Sequence, residues 1–156
     1  MLAPAVAASG ARPSFEIQKL MDDPTQGAMT RVTFLKERSS VVISRYPQLG
    51  ARKEDPQDST PQFDVSRRVS ARLNVGEMGT VLAVLDSRVS SGKLSSEAHD
   101  LTVSRDGDNG LKIAGTVSQG PRDQRITQDV ELTFDKVRTA QLYHFLENSM
   151  TSSYSF

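Results

Sequence analysis

Residues 63–88, FDVSRRVSARLNVGEMGTVLAVLDSR, constrain the fold more than any other stretch, because a strand pattern becomes a helix pattern with no loop between. Val69, Ala71 and Leu73 alternate with Arg68, Ser70 and Arg72. Such alternation sends one set of side chains to a core and the other to solvent. The outward set carries two arginines, so the strand is predicted to show a basic face. Asn74 then suits a helix cap, and Glu77 stands three residues on, where a carboxylate reaches back to the cap's N–H. Val75, Met78, Leu82 and Leu85 follow at helical spacing, and Val81 and Val84 widen the stripe.

The same plan recurs at the end of the chain. Residues 125–134 (RITQDVELTF) alternate, with Ile126, Val130, Leu132 and Phe134 inward, and Asp135 caps a helix predicted to about residue 150. Ala140, Leu142, Tyr143, Phe145, Leu146 and Met150 cover well over the usual third of that helix. A stripe so wide predicts two surfaces to cover, one on the sheet and one on another subunit. Before the first strand–helix unit, strands are predicted at 15–21, 29–35 and 41–46, with a short connection at 36–39. Residues 98–104 and 111–118 alternate on either side of the turn DGDNG. That makes seven strands and two helices, and an eighth strand is expected within 90–96 or in a break of a longer one. Residues 47–62 form a long polar loop with three prolines, expected to be poorly ordered when unbound. One domain is expected over 15–150, flanked by a disordered leader at 1–14 and a polar tail at 151–156.

Composition removes several function classes. The chain has no cysteine, so it offers neither disulfides nor a thiolate metal site, which fits a reducing compartment. No run of about 18 apolar residues occurs, so no helix is expected to cross a membrane. Basic and acidic residues balance at 19 each, but their distribution is uneven. Residues 28–53 hold Arg31, Lys36, Arg38, Arg45, Arg52 and Lys53 against Glu37 alone. A zero sum leaves nucleic-acid binding open, because distribution matters more than the sum. The competing reading is an ordinary solvated surface of mixed charge. There are two histidines, His99 and His144, with no evident triad partner, and no HExxH, P-loop or GxGxxG pattern. No enzyme activity, cofactor or metal is therefore expected.

Two motifs resemble the Whirly family. The family's aromatic-Asp-x-Ser-Arg/Lys start is similar to Phe63-Asp64-Val65-Ser66-Arg67, and its x-Glu-x-Gly-Thr element is similar to Gly76-Glu77-Met78-Gly79-Thr80. The order of elements over about 15–150 also matches. The resemblance implies an α+β fold of two antiparallel four-stranded sheets, each followed by a helix. Where plant Whirly proteins carry Lys-Gly-Lys-Ala-Ala-Leu, this chain has Gln26-Gly27-Ala28-Met29-Thr30-Arg31, without either lysine. In this it looks more like the kinetoplastid mitochondrial guide-RNA-binding proteins. That likeness implies a mitochondrial matrix protein whose transit peptide is absent from this chain. It implies a heterotetramer with a related subunit, helices inside and sheets outside. It implies guide RNA held by its phosphates with bases turned to solvent, and presented to messenger RNA as an annealing matchmaker in RNA editing.

The residues point the same way. Aromatics are 6% of the chain and no outward aromatic pair is predicted on a strand, so a stacking platform is lacking. The expected phosphate contacts are Arg31, Lys36, Arg38 and Arg45 from the second and third strands, with Arg68 and Arg72 on the fourth. Lys112 and Arg125 are the candidates on the second sheet. Val81, Leu82, Leu85, Leu142, Tyr143, Phe145 and Leu146 are expected in core and subunit contacts. Arg67 and Arg52 are open to a subunit contact or a loop role. Two alternatives stay open: a single-stranded DNA-binding transcription or genome-maintenance factor of plant type, and a mainly structural partner subunit.

Overall fold

A computed structural model of the chain describes residues 12–51, 54–55, 57–59, 61–108 and 110–154, residue 122 by its backbone only. Arg52 and most of the expected leader lie outside the described residues. The chain builds two antiparallel four-stranded meanders, each ending in a strand that feeds a helix. Sheet 1 comprises β1 (Ser14–Lys19), β2 (Ala28–Leu35), β3 (Ser40–Pro47) and β4 (Val69–Leu73), in that order. One residue later α1 (Val75–Leu85) begins. Sheet 2 comprises β5 (Ser91–Ser95), β6 (His99–Asp106), β7 (Gly110–Gln119) and β8 (Ile126–Phe134), followed by α2 (Lys136–Ser153).

The eighth strand is β5, inside the Ser/Gly-rich segment that first reads as a connection. Both helices begin where a polar side chain satisfies an orphan N–H. Asn74 Oδ1 accepts from Glu77 N at 2.8 Å while Glu77 Oε1 accepts from Asn74 N at 3.1 Å, the reciprocal cap the spacing predicts. Asp135 Oδ1 accepts from Arg138 N at 2.9 Å. Helix α2 runs three residues past its expected end, taking in the start of the polar tail.

One apolar cluster joins both sheets and both helices. Val32, Phe34, Val41, Ile43, Ala71 and Leu73 come from sheet 1, and Leu101, Val103, Leu111, Ile113, Leu132 and Phe134 from sheet 2. Met78, Val81, Val84, Leu142 and Leu146 fill the space between. Of the seven residues expected in core and subunit contacts, three belong to the core alone. Val81, Leu142 and Leu146 are wholly enclosed by the chain's own core and have no surface to offer. Leu82, Leu85, Tyr143 and Phe145 remain half-exposed.

Two polar braces fix the sheets. Gln48, buried at the mouth of the long loop, accepts from Met21 N at 2.9 Å and donates to the Met21 and Gly50 carbonyls, both at 2.9 Å. Gly27 leaves room for it, since a Cβ there would overlap Gln48 Oε1. The loop's ends are also joined, with Leu49 N donating to Gln62 O at 2.7 Å and Asp64 N to Pro47 O at 2.8 Å. His99, which reads as partnerless in the sequence, is buried on β6. Its Nε2 lies 2.6 Å from Glu77 Oε2 and its Nδ1 3.2 Å from Ser96 Oγ. The helix cap of α1 is thereby tied to sheet 2. No described helix is long and apolar enough to cross a membrane.

Candidate nucleic-acid interface

Strand register decides which way each cation faces, because residues opposite one another share a face. In sheet 1, Val32 pairs Ile43 and Ile43 pairs Ala71 on the core side. The outer side therefore carries Glu16 opposite Arg31, Arg31 opposite Ser44, and Val42 opposite Arg72. Arg31 and Arg72 face outward as the alternation predicts. Arg45 does not: it pairs Thr30 and Val69, which places it on the core-side face at the end of the strand. The run Val41-Val42-Ile43 has no alternation to set a phase, which is why its direction is hidden in the sequence. Lys36 and Arg38 occupy a 3-10 turn between β2 and β3 rather than either strand.

Arg68 precedes β4 and is held there from the other sheet. Gln119 on β7 donates from Nε2 to Arg68 O at 3.1 Å and accepts from Ser70 N at 2.9 Å. A cleft of about 1060 Å³ opens at this junction. Arg45 of β3 and Arg67 and Arg68 of the turn before β4 line it on one side, and Lys112, Asp129 and Glu131 of sheet 2 on the other. A second cleft of about 490 Å³ is lined by Arg38, Arg72, Asn74, Glu77, Ser96 and His99. The two clefts gather five of the eight expected contact residues: Arg45, Arg68 and Lys112 in one, Arg38 and Arg72 in the other. Arg31, Lys36 and Arg125 line neither. Arg125 sits just before β8 and donates to the Glu97 carbonyl at 3.1 Å. Arg67, whose role is open from the sequence, joins the larger cleft.

The cations fall into two electrostatic classes. Arg31 donates two N–H groups to one oxygen of Glu16, at 2.9 and 3.1 Å, and lies 5.3 Å from the centre of the Tyr46 ring. Arg67 pairs Asp64 at 2.7 Å and Lys112 pairs Glu131 at 2.9 Å. The Glu131 carboxylate holds the Lys112 ammonium above its ordinary pKa, and Ser66, then Arg67, hold the Asp64 carboxyl below its own. Lys36, Arg38, Arg45, Arg68 and Arg72 make no ion pair among the described residues.

The outer side of sheet 2 has a different character. Asp100, Asp129 and Glu131 share it with Lys93 and Lys112, and both lysines are paired, Lys93 with Asp100 at 3.1 Å. Aromatic rings are withdrawn from both sheets. Phe34, Tyr46 and Phe134 are buried, and Phe15 packs edge-on against Phe145 at 5.2 Å. Among the described residues, then, no strand offers an exposed ring for base stacking. What the surface can do is contact phosphate oxygens with guanidinium and ammonium groups.

A family model described as mitochondrial RNA binding protein MRP matches residues 7–153. Among solved structures, the chain is similar to one of the MRP1/MRP2 proteins of Trypanosoma brucei, 35% identical over 94% of this chain and 97% of that one, with a TM-score of 0.80. It is also similar to a chain of a guide-RNA-binding protein complex bound to a guide RNA, at 21% identity, 97% and 98% coverage and a TM-score of 0.74. Arabidopsis thaliana WHY1 shares the fold at 15% identity, 91% and 90% coverage and a TM-score of 0.60. No curated protein matches the sequence.

Proposed function

The chain belongs to the mitochondrial RNA binding protein MRP family, and from that premise we propose that it binds guide RNA through the phosphate backbone and promotes its annealing to messenger RNA in the mitochondrial matrix. The observation that carries the reading is the set of guanidinium groups around the two clefts that make no ion pair among the described residues: Arg45 and Arg68 in one, Arg38 and Arg72 in the other. Phosphate contacts position a nucleic acid without reading its sequence. With no exposed strand aromatic among the described residues to hold a base, Watson–Crick edges stay free for a complement. Neutralised phosphates also repel a second strand less, which lowers the barrier to pairing.

We propose a heterotetramer with a related subunit, assembled through the half-exposed side chains Leu82, Leu85, Tyr143 and Phe145. Sheet 1 carries the main RNA contacts of this chain. The paired lysines and the carboxylates on sheet 2 leave that face a smaller share. Residues 15–150 act as one nucleic-acid-binding domain. The role is binding rather than catalysis: His99, buried on β6, is engaged by Glu77 and Ser96, which supports a structural part for it.

The test is an annealing assay with a guide RNA hairpin and its messenger partner, with single-stranded DNA as competitor. Acceleration of annealing, resistant to equal amounts of DNA, is expected. Preferential capture by DNA would favour the plant-type alternative. Assembly with a partner but no RNA contact by this chain would favour the structural one.

A further inference from the structure

Nineteen basic and nineteen acidic residues leave the chain with no net charge, and two of the acids stand directly on expected phosphate contacts. Glu16 stands on the outer side of β1, directly opposite Arg31, and occupies two of its N–H groups. Glu131 stands on β8 beside the larger cleft and holds Lys112 at 2.9 Å. Both carboxylates are about half-exposed and neither caps a helix or supports the core. A carboxylate and a phosphate offer a guanidinium or ammonium the same kind of anionic oxygen. The two acids therefore occupy the groups that a phosphate would use.

Resting on the reading of this chain as a phosphate-held RNA binder, we propose that Glu16 and Glu131 are tethered competitors of RNA phosphate that set the affinity and speed the release of bound RNA. Entry of a phosphate at Arg31 or Lys112 displaces a carboxylate that stays a few ångströms away. When the RNA leaves, the carboxylate returns and the cation is never left bare. This lowers the cost of release without reducing the number of contacts formed on encounter. An annealing factor needs that property, since a subunit that keeps its product cannot act on the next pair. The unpaired cations Arg45, Arg68 and Arg72 give grip, and the paired cations Arg31 and Lys112 limit its duration. Glu16 and Glu131 are thus affinity-setting residues with no RNA contact of their own.

The experiment compares the chain with Glu16→Gln, Glu131→Gln, the double variant and the control Asp108→Asn. The control makes the same change of charge in the β6–β7 turn, away from both clefts. The readouts are equilibrium binding and dissociation of one unstructured single-stranded RNA at fixed salt. Each Glu→Gln variant is expected to bind roughly two- to fivefold more tightly than the parent, the range of exposed pairs. The effects of the two should add, because the sites are on different sheets. Most of the gain should appear as slower dissociation, and multiple-turnover annealing should fall while single-turnover annealing holds. Variants no tighter than Asp108→Asn, or weaker than the parent, overturn the inference and leave the RNA-binding reading intact. A parent chain that binds no RNA at low salt overturns both.

Discussion

Arg68 owes its place to a side chain fifty-one positions away, since Gln119 grips the backbone on both sides of Val69. Gln119→Ala would leave the Ser70 N–H without its acceptor in a half-buried setting. A drop of about 1–2 kcal/mol in stability is expected, read by denaturant midpoint, together with weaker RNA binding as Arg68 gives up its anchor. The direct test of the cations is Arg68→Ala/Arg72→Ala, assayed for binding and for assembly. The proposal expects binding to weaken across all RNA sequences alike, with assembly unchanged. The salt dependence should become shallower by about 1.4 in log–log slope, since each phosphate neutralised on a single strand accounts for about 0.7. A failure to assemble would move these arginines to a subunit interface. At this scale the sequence is a partial guide. Arg31 and Arg72 are legible because clean alternation surrounds them. Arg45 is not, because the apolar run before it carries no phase, and the Gln119 brace leaves no local signature at all. The His99–Glu77 contact is equally silent, joining residues twenty-two positions apart.

At the scale of the element, strand-into-helix is legible twice because the caps are local chemistry: Asn74 with Glu77, and Asp135 with the first turn of α2. Strand β5 is the opposite case. Its residues SGKLS have one apolar side chain and little intrinsic strand preference. It forms because β6 offers an edge and because Gly92 lets α1 approach. A Cβ on Gly92 would run into Thr80 Cγ2. Gly92→Val is expected to push α1 from sheet 2 and cost about 1–3 kcal/mol, measured by thermal unfolding. The wide stripe on α2 shows that the helix has much apolar surface to cover, yet it does not tell which residue meets which. Leu142 and Leu146 go to the chain's own core, whereas Tyr143 and Phe145 keep exposed area. On α1 the same division leaves Leu82 and Leu85 available. Leu82→Glu/Leu85→Glu is expected to block association with the proposed partner while the isolated chain stays folded, as sedimentation and circular dichroism would report. An intact assembly would place the interface elsewhere.

At the scale of the whole molecule, two sheets of one architecture carry opposite surfaces. Around sheet 1 and its junction with sheet 2 stand Lys36, Arg38, Arg45, Arg68 and Arg72, which make no ion pair among the described residues, and the outer side of sheet 2 carries carboxylates and neutralised lysines. A net charge of zero thus conceals an uneven distribution, which composition alone does not reveal. The central claim is that RNA is held by its phosphates and not by its bases, and its most direct test is the salt dependence of binding to an unstructured single-stranded RNA. With about five phosphate contacts, the log–log slope of affinity against salt is expected to be roughly −3.5. A slope near zero would contradict the account.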